Sequence, residues 1–448
     1  MKWIGLLIYI ALVPMLIARL RNNPGKAPIL WAALGFIPFI LDIFHFKIAP
    51  ISWSMWPGYV KGAELSLLDP VALAIVLSYP NIRVKSPLMI VLPLYIVVVL
   101  STMAYSGVPE ASFFYAWQLG RVMLLFAAAA KISQHEKGPQ ALITGMILGI
   151  CVQAGYAIEQ RLTGVVQSSG TFGHQNLLGM ISHFVTFPAL ALLLVDGKRR
   201  APLFGVLAGA IVVILGASRA TLGLAGGGIV ALLLMSIVRK ATSRKSMIVG
   251  MGLMALVLAA PLALSSLQSR FDATPLSTDY DERAAFERAA KMAIAAHPMG
   301  VGSNQYVVVA NTEGYSDRAG VIWNWASRSA NVHNTYLLVR AETGLHGLAV
   351  FVAFLFAPMI TAFGAAWRNR KEPRGDLMLG LGMSFAIVSI HCLYEWVFVT
   401  YSVQVMFAID AGIVAGLAQQ ISRAKSTKRK RAKLSENLSA MANASETA

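Results

Sequence analysis

Stretches of about twenty mostly apolar residues follow one another along almost the whole chain, each long enough to carry a helix across the hydrocarbon of a bilayer. About thirteen can be read, centred on residues 11, 37, 72, 96, 121, 150, 185, 209, 229, 255, 355, 386 and 410. Only the polar interval from Ser266 to about Gly344 breaks the series at length. Hydrophobic residues fill 56% of the 448 positions and charged residues 13%, outside the balance of a soluble domain of this size. Backbone in hydrocarbon must satisfy its own hydrogen bonds, and apolar runs of this length do so as helices. The expectation is an all-α polytopic membrane protein with about 12–13 transmembrane helices and one large loop.

The first apolar run, Leu6 to Leu16, passes into Ala18, Arg19, Leu20 and Arg21 without a small-residue cleavage pattern, so it reads as a retained helix. Cys151 and Cys392 lie inside predicted helices with no CxxC partner, which indicates neither a disulfide framework nor a zinc site. A net charge of +17 would suit nucleic acid, but its placement argues against that partner. Alternate connections and the tail hold 25 of the 38 Lys and Arg, while the opposite short connections carry Lys2, Lys47, Lys61, Arg161 and Arg219. By the positive-inside rule the C-terminus is cytoplasmic and the 266–344 loop lies on the outer face.

Residues 1–160 supply about six helices, with no internal repeat. Arg121 falls a turn or two inside the fifth, behind Tyr115 and Trp117. An arginine in hydrocarbon is costly and so a functional candidate; snorkelling to the interface is the other reading. GTFGHQNLLG, residues 170–179, opens the seventh helix and sets His174, Gln175 and Asn176 at a helix N-terminus, where exposed N–H groups favour an anion or simply a polar cap. GASRA, residues 216–220, is the outer turn between helices eight and nine and puts Arg219 at the membrane surface, with a planar fork suited to phosphate oxygens. The GxxxG within GLAGGG, residues 223–228, reads as close helix packing.

In the large loop, Thr278 or Asp279 caps a helix with Arg283, Glu287 and Lys291 on one face and Phe286, Ala289, Ala290 and Ala293 available for burial. Arg283 and Arg288 then either point to the membrane surface or belong to a solvated face of i,i+4 pairs. His297-Pro298 and glycines 300 and 302 end that helix, and Trp323 and Trp325 suit an interfacial belt. His333, Tyr336 and Arg340 share a face if helix has begun by His333, with Asn331 or Asn334 as cap. His391 and Glu395 reach the same side at the end of helix twelve. The tail SRAKSTKRKRAK, residues 422–433, suits anionic lipid, and the polar stretch after it is expected to be disordered. Three regions follow: N-terminal helices 1–160, a core 161–421 including the loop 266–344, and a tail 422–448.

This topology gathers His174, Arg219, Arg283, Arg288, His297, His333, Arg340, His391 and Glu395 on one cationic surface at the membrane boundary. A lipid phosphate or diphosphate fits it, with the tail left in the bilayer. A divalent metal is not required at these positions, since arginines could stabilise a leaving diphosphate.

GTFGHQNLLG, the SRA of residues 218–220, Arg283 followed by HPMGVGSNQY (297–306), and HNTYLLVRAETGLHG (333–347) stand in the order and setting of the O-antigen ligase and polysaccharide polymerase superfamily. The chain resembles that superfamily over about residues 165–400; the first 160 resemble it only in being helical. The resemblance implies a helical fold related to C-type glycosyltransferases and a membrane glycosyltransferase of the bacterial inner membrane. Such an enzyme moves a glycan from undecaprenyl diphosphate to an acceptor hydroxyl, on a glycan or on lipid A core, at the periplasmic face. It works beside other glycan-assembly proteins and uses neither metal, cofactor nor nucleotide sugar. The family's essential arginines and histidine carry over to Arg219, Arg283 and His333. Phe286 replaces an aromatic, often Trp, that follows the loop arginine in relatives, and this departure keeps Arg288 as an alternative. Arg288, Arg340, His174, Asn176, Arg121, His391 and Glu395 are candidates for binding substrate. The expected chemistry is a single inverting displacement, with His333 as base and Glu395 next in line. GHQN leans towards polymerase over ligase. A transporter or lipid-linked glycan flippase is the reading from another class, with Asp410 as its buried carboxylate, and an inactive assembly scaffold is a third.

Overall fold

The computed structural model describes the backbone of residues 2–195, 200–273 and 276–446, and the side chains of these except 256, 266–267, 269–281, 428–429 and 431–446. Helices dominate. The first group is α1 (Lys2–Asn22), α2 (Ala27–Phe36), α3 (Leu68–Ser78), α4 (Leu88–Ser101), α5 (Pro109–Ile132) and α6 (Gly138–Leu162). The second is α7 (Gln175–Val195), α8 (Ala201–Gly216), α9 (Arg219–Arg239) and α10 (Ser243–Ala273). The polar interval folds into α11 (Leu276–Ala296) and three short helices, α12 (Tyr306–Thr312), α13 (Tyr315–Arg318) and α14 (Trp325–Arg328). Then come α15 (Thr335–Arg368), α16 (Arg374–His391) and α17 (Tyr401–Glu446).

A helix lies at or beside every predicted centre, and the protein is an all-α polytopic membrane protein; what differs is length. Among the described residues, eight helices are long and apolar enough to cross a bilayer, namely α1, α5, α6, α7, α9, α10, α15 and α17. The runs read near residues 37 and 72 are instead the short helices α2 and α3, of 10 and 11 residues. At 1.5 Å per residue each spans roughly 15 Å, about half the hydrocarbon. Between them β1 (Lys47–Ser52) and β2 (Gly62–Ser66) form an antiparallel hairpin, pairing Lys47 with Ser66 and Ser52 with Gly62. The sequence reading offers no strand there.

α17 and α7 are the buried posts of the bundle, whereas α1 is exposed along nearly its full length. Aromatic side chains fill the space around α17. Phe407 meets Phe354 from α15 at 4.7 Å, Phe385 from α16 at 5.2 Å and Phe184 from α7 at 6.4 Å between ring centroids. Such edge-on and tilted pairs bury large area and fix helix register. At one end, Asp376 of α16 accepts from Lys245 at 2.6 Å and from Arg239, all three essentially buried, which ties α9, α10 and α16 together. α17 continues as helix to Glu446, through the stretch whose composition predicts disorder. α11 already begins at Leu276, and the cap side chains read at Thr278 and Asp279 lie outside the described side chains. In GLAGGG the packed glycine is Gly228, against Phe187; the GxxxG pair Gly223 and Gly227 faces open space.

Two of the sequence motifs build a knot that holds the polar interval to the bundle. α15 breaks at Gly344, whose φ of 67° and ψ of −170° suit glycine alone. The HPMGVG turn packs into the break: the N–H groups of Val301 and Gly302 donate to the carbonyls of Ala341 and Glu342 at 2.9 and 3.0 Å. The Glu342 carboxylate in turn accepts from the N–H groups of Gln305 and Tyr306 at 3.0 and 3.1 Å and from the Tyr59 hydroxyl at 2.6 Å. Asn304, in the left-handed region at φ 64°, accepts from the Val60 N–H and donates to the Val60 and Ala111 carbonyls. Loop, hairpin and α5 are therefore one packed unit.

Candidate functional site

Glu395, in the turn after α16, is buried to 1% exposure and is the hub of the polar cluster. Its Oε1 accepts from the Asn176 amide at 2.6 Å and from the Arg283 guanidinium at 3.0 Å. Asn176 lies in the first turn of α7 and Arg283 in the middle of α11, so three distant segments meet on one oxygen. A carboxylate this buried needs charge-assisted partners, and it has them. The Arg283 side chain is 36% exposed, so one edge of its fork is anchored and the rest is reachable.

His333 comes to the same place from the other side. Its ring stacks on Phe286, three residues and so nearly one turn after Arg283, with centroids 5.6 Å apart and 21° between planes. Asn334 caps α15, accepting from the Leu337 N–H at 3.1 Å. Thr335 then anchors the start of the helix, its N–H donating to the Cys392 carbonyl at 2.8 Å and its hydroxyl to the Glu395 carbonyl at 2.6 Å. His333 thus precedes the helix instead of opening it, which removes the expected face shared with Tyr336 and Arg340. Tyr336 donates to the Ser389 carbonyl, and Arg340 is exposed.

Asn176 donates its N–H to His174 Nδ1 at 3.2 Å, so His174 caps α7 and stands beside the cluster. Its ring is accessible at the surface although atoms crowd around it. That crowding first, and the Arg283 guanidinium second, hold the imidazole below its ordinary range. Accessible area is what a ligand meets, so the ring counts as reachable. Arg219 is half-buried and opens α9, after Ala217 closes α8 in the left-handed region and Ser218 returns to extended backbone. Thr221, two residues on, packs against Gly179, three residues after Asn176. The start of α9 therefore lies against the start of α7.

His391 is fully buried beneath this layer, its ring 5.3 Å from that of His183. His183 was not singled out in the sequence, where a histidine in the middle of an apolar helix carries no distinguishing signal. Arg288 is turned away: its guanidinium donates to the Ala319 carbonyl at 2.9 Å and braces α13. Arg121 is not brought to the cluster and does not snorkel. It forms a buried pair with Asp69, at 2.8 and 2.9 Å, also donates to Ser66 at 3.0 Å, and is covered by the Tyr401 ring at 3.9 Å. The solvated face of α11 exists beside the site, as a Lys291–Glu287 pair at 3.3 Å with both side chains exposed. His297 serves the loop, bonded to Glu313 at 2.7 Å, with Tyr315 donating to the same carboxylate oxygen.

Fold and site together define a multi-pass helical membrane protein with an arginine, carboxylate and histidine cluster where its polar interval meets the helix ends. Residues 203–352 match the family model described as O-antigen ligase. Over that stretch the match bears out the resemblance to the O-antigen ligase and polymerase superfamily carried by the SRA turn, Arg283 with HPMGVGSNQY, and HNTYLLVRAETGLHG. The matched stretch holds Arg219, Arg283 and His333; His174, Asn176 and Glu395 lie outside it. No curated protein matches the chain.

Proposed function

We propose that the protein is a glycosyltransferase of the bacterial inner membrane that moves a glycan from undecaprenyl diphosphate to an acceptor hydroxyl at the periplasmic face, as a polysaccharide polymerase or O-antigen ligase. The observation that carries this reading is the convergence on Glu395 of Asn176 and Arg283, with His333 one stacked ring away. The acceptor oxygen bonds to the anomeric carbon as the bond from that carbon to the diphosphate oxygen breaks, with inversion. His333 takes the hydroxyl proton. Arg219 and Arg283 neutralise the departing diphosphate, whose charge grows in the transition state. Glu395 and Asn176 hold Arg283 in place, a positioning role, since binding energy spent on orientation lowers the barrier. His174, His391, Arg340 and Arg288 have lesser claims. Of the two jobs, polymerase is favoured by the GHQN variant of the α7 motif.

The test is the size and attachment of surface and lipid-linked glycan in a strain lacking the protein, complemented with wild type or Arg219→Ala. Single repeats in place of long chains identify a polymerase, and long chains stranded on the lipid carrier identify a ligase. An unchanged glycan profile overturns both. Removing one such charge-stabilising group typically costs on the order of 100- to 1,000-fold in turnover, so Arg219→Ala should behave nearly as the null while still folding.

A further inference from the structure

A mixed-polarity cleft of about 320 Å³ opens next to the cluster, between the turn of the hairpin and the loop's last short helix. Its walls include Trp56, Tyr59, Lys61, Trp325, Asn331 and Trp396. Two of these lie next to the cluster in the chain: Trp396 follows Glu395, and Asn331 precedes His333 by two residues. The third link is α14, whose Ser327 hydroxyl bonds to Glu282, the neighbour of Arg283. The volume stands at the small end of ligand sites, which run from about 300 to 1,000 Å³.

The walls are built, not left over. The Trp56 indole donates to the Asn304 carbonyl at 3.1 Å, and Tyr59 donates to Glu342 at 2.6 Å, so both rings are fixed by the knot that joins loop and hairpin. Asn324 caps α14, accepting from the Ser327 N–H at 2.7 Å, which sets Trp325 at the rim. Trp325 is 79% exposed, so its indole face at the rim is open to a ligand. Trp323, two residues earlier, is just as exposed and has the Arg328 guanidinium over one face at 4.6 Å, whereas Trp325 lines the cleft.

We infer that this cleft is a saccharide-binding subsite for the acceptor glycan, a reading that rests on the transfer function proposed above. A sugar ring offers an apolar C–H face bounded by hydroxyls, and aromatic faces interleaved with an amide and an ammonium match both parts. Among the described residues no carboxylate lines the cleft, so a neutral or an acidic sugar is admitted. Position separates acceptor from donor. Arg219 and His174 mark the diphosphate end, at the starts of α9 and α7, while the cleft joins the cluster from the side of Asn331, His333 and Trp396. A saccharide lodged there presents a hydroxyl towards His333.

The test uses the full chain in nanodiscs with two probes, undecaprenyl diphosphate and the soluble oligosaccharides released by mild acid from the producing strain's own surface glycan. Wild type is expected to bind both. Trp325→Ala should weaken oligosaccharide binding about tenfold, the scale of one lost aromatic contact, and leave undecaprenyl diphosphate binding unchanged. Trp325→Phe should restore most of the affinity. In the transfer assay the Trp325→Ala loss should fall on the acceptor KM and spare kcat. Equal oligosaccharide binding by wild type and Trp325→Ala overturns the inference, as does quenching of Trp325 fluorescence by brominated lipid, which would make it part of the interfacial belt. Wild type that binds only undecaprenyl diphosphate also overturns it, yet leaves the transfer reading standing. Oligosaccharide binding that depends on Trp325, together with normal transfer by Arg219→Ala, supports the subsite and sinks the arginine chemistry.

Discussion

Replacing Glu395 separates a carboxylate that positions from one that takes a proton. The Arg283 side chain is 36% exposed, so water screens its Coulomb attraction to Glu395, and the contact counts as one charge-assisted hydrogen bond of roughly 1.5 kcal/mol. The Asn176 contact is short, at 2.6 Å, and buried, and contributes about as much. Glu395→Gln keeps an acceptor oxygen for Asn176 and weakens only the hold on Arg283. If that hold sets the productive pose, turnover should fall about tenfold. Glu395→Ala releases both groups and orphans a buried amide, for a combined loss near 3 kcal/mol, or on the order of 100-fold. The assay is glycan transfer in membranes, with thermal unfolding run in parallel to remove folding losses. A Glu395→Gln loss as deep as that of His333→Ala would refute the positioning role and make Glu395 the base. Near-normal transfer by Glu395→Ala would refute the hub altogether.

At the opposite end of the bundle, Asp376→Ala leaves Arg239 and Lys245 buried without their carboxylate. That should destabilise the protein by roughly 3–5 kcal/mol, read as a large drop in Tm in detergent, and an unchanged Tm would show the cluster to be hydrated. Gly344→Ala sets a side chain into backbone that only glycine adopts and 2.8 Å from the Pro298 and Met299 carbonyls; a cost of at least about 1–3 kcal/mol is expected, and unchanged thermal unfolding would refute the knot. The hydrogen bond from His297, and then that from Tyr315, hold the Glu313 carboxyl below its ordinary value of 4.5. Its folded value is depressed, so the stability it adds is present above the unfolded value and fades as pH falls through the folded one. Hydrogen exchange across residues 297–315 should therefore quicken below about pH 4.5, beyond the intrinsic trend, in wild type but not in Glu313→Gln.

Much of this architecture is written in local sequence. Apolar runs report composition over about twenty residues, which is why helices stand where the runs do. Hydropathy is blind to a fold-back inside such a run, so the hairpin of Lys47–Ser52 and Gly62–Ser66 and the two half-length helices around it were lost. Arg283 is the better match than Arg288 to the resembled family's loop arginine because Phe286 stands where an aromatic follows it, and Phe286 stacks on His333. Arg121 misled because its partner, Asp69, is 52 residues away, and pairing over such a distance leaves no local trace. Glu342 and Asn304 were passed over inside motifs that the resemblance had already assigned to chemistry. They bind loop to hairpin, and only the left-handed backbone at Asn304 hints at this.

The hub also orders events in time. Asn176 and Arg283 are made long before the carboxylate they share, and 112 residues separate Arg283 from Glu395. At roughly 5–20 residues per second, the ribosome takes on the order of ten seconds to cover that interval. Throughout it the earlier helices can enter the membrane while Arg283 lacks its carboxylate partner. The Arg283–Glu395 pair therefore closes only when the turn after α16 emerges, so a chain stalled earlier can be inserted without it.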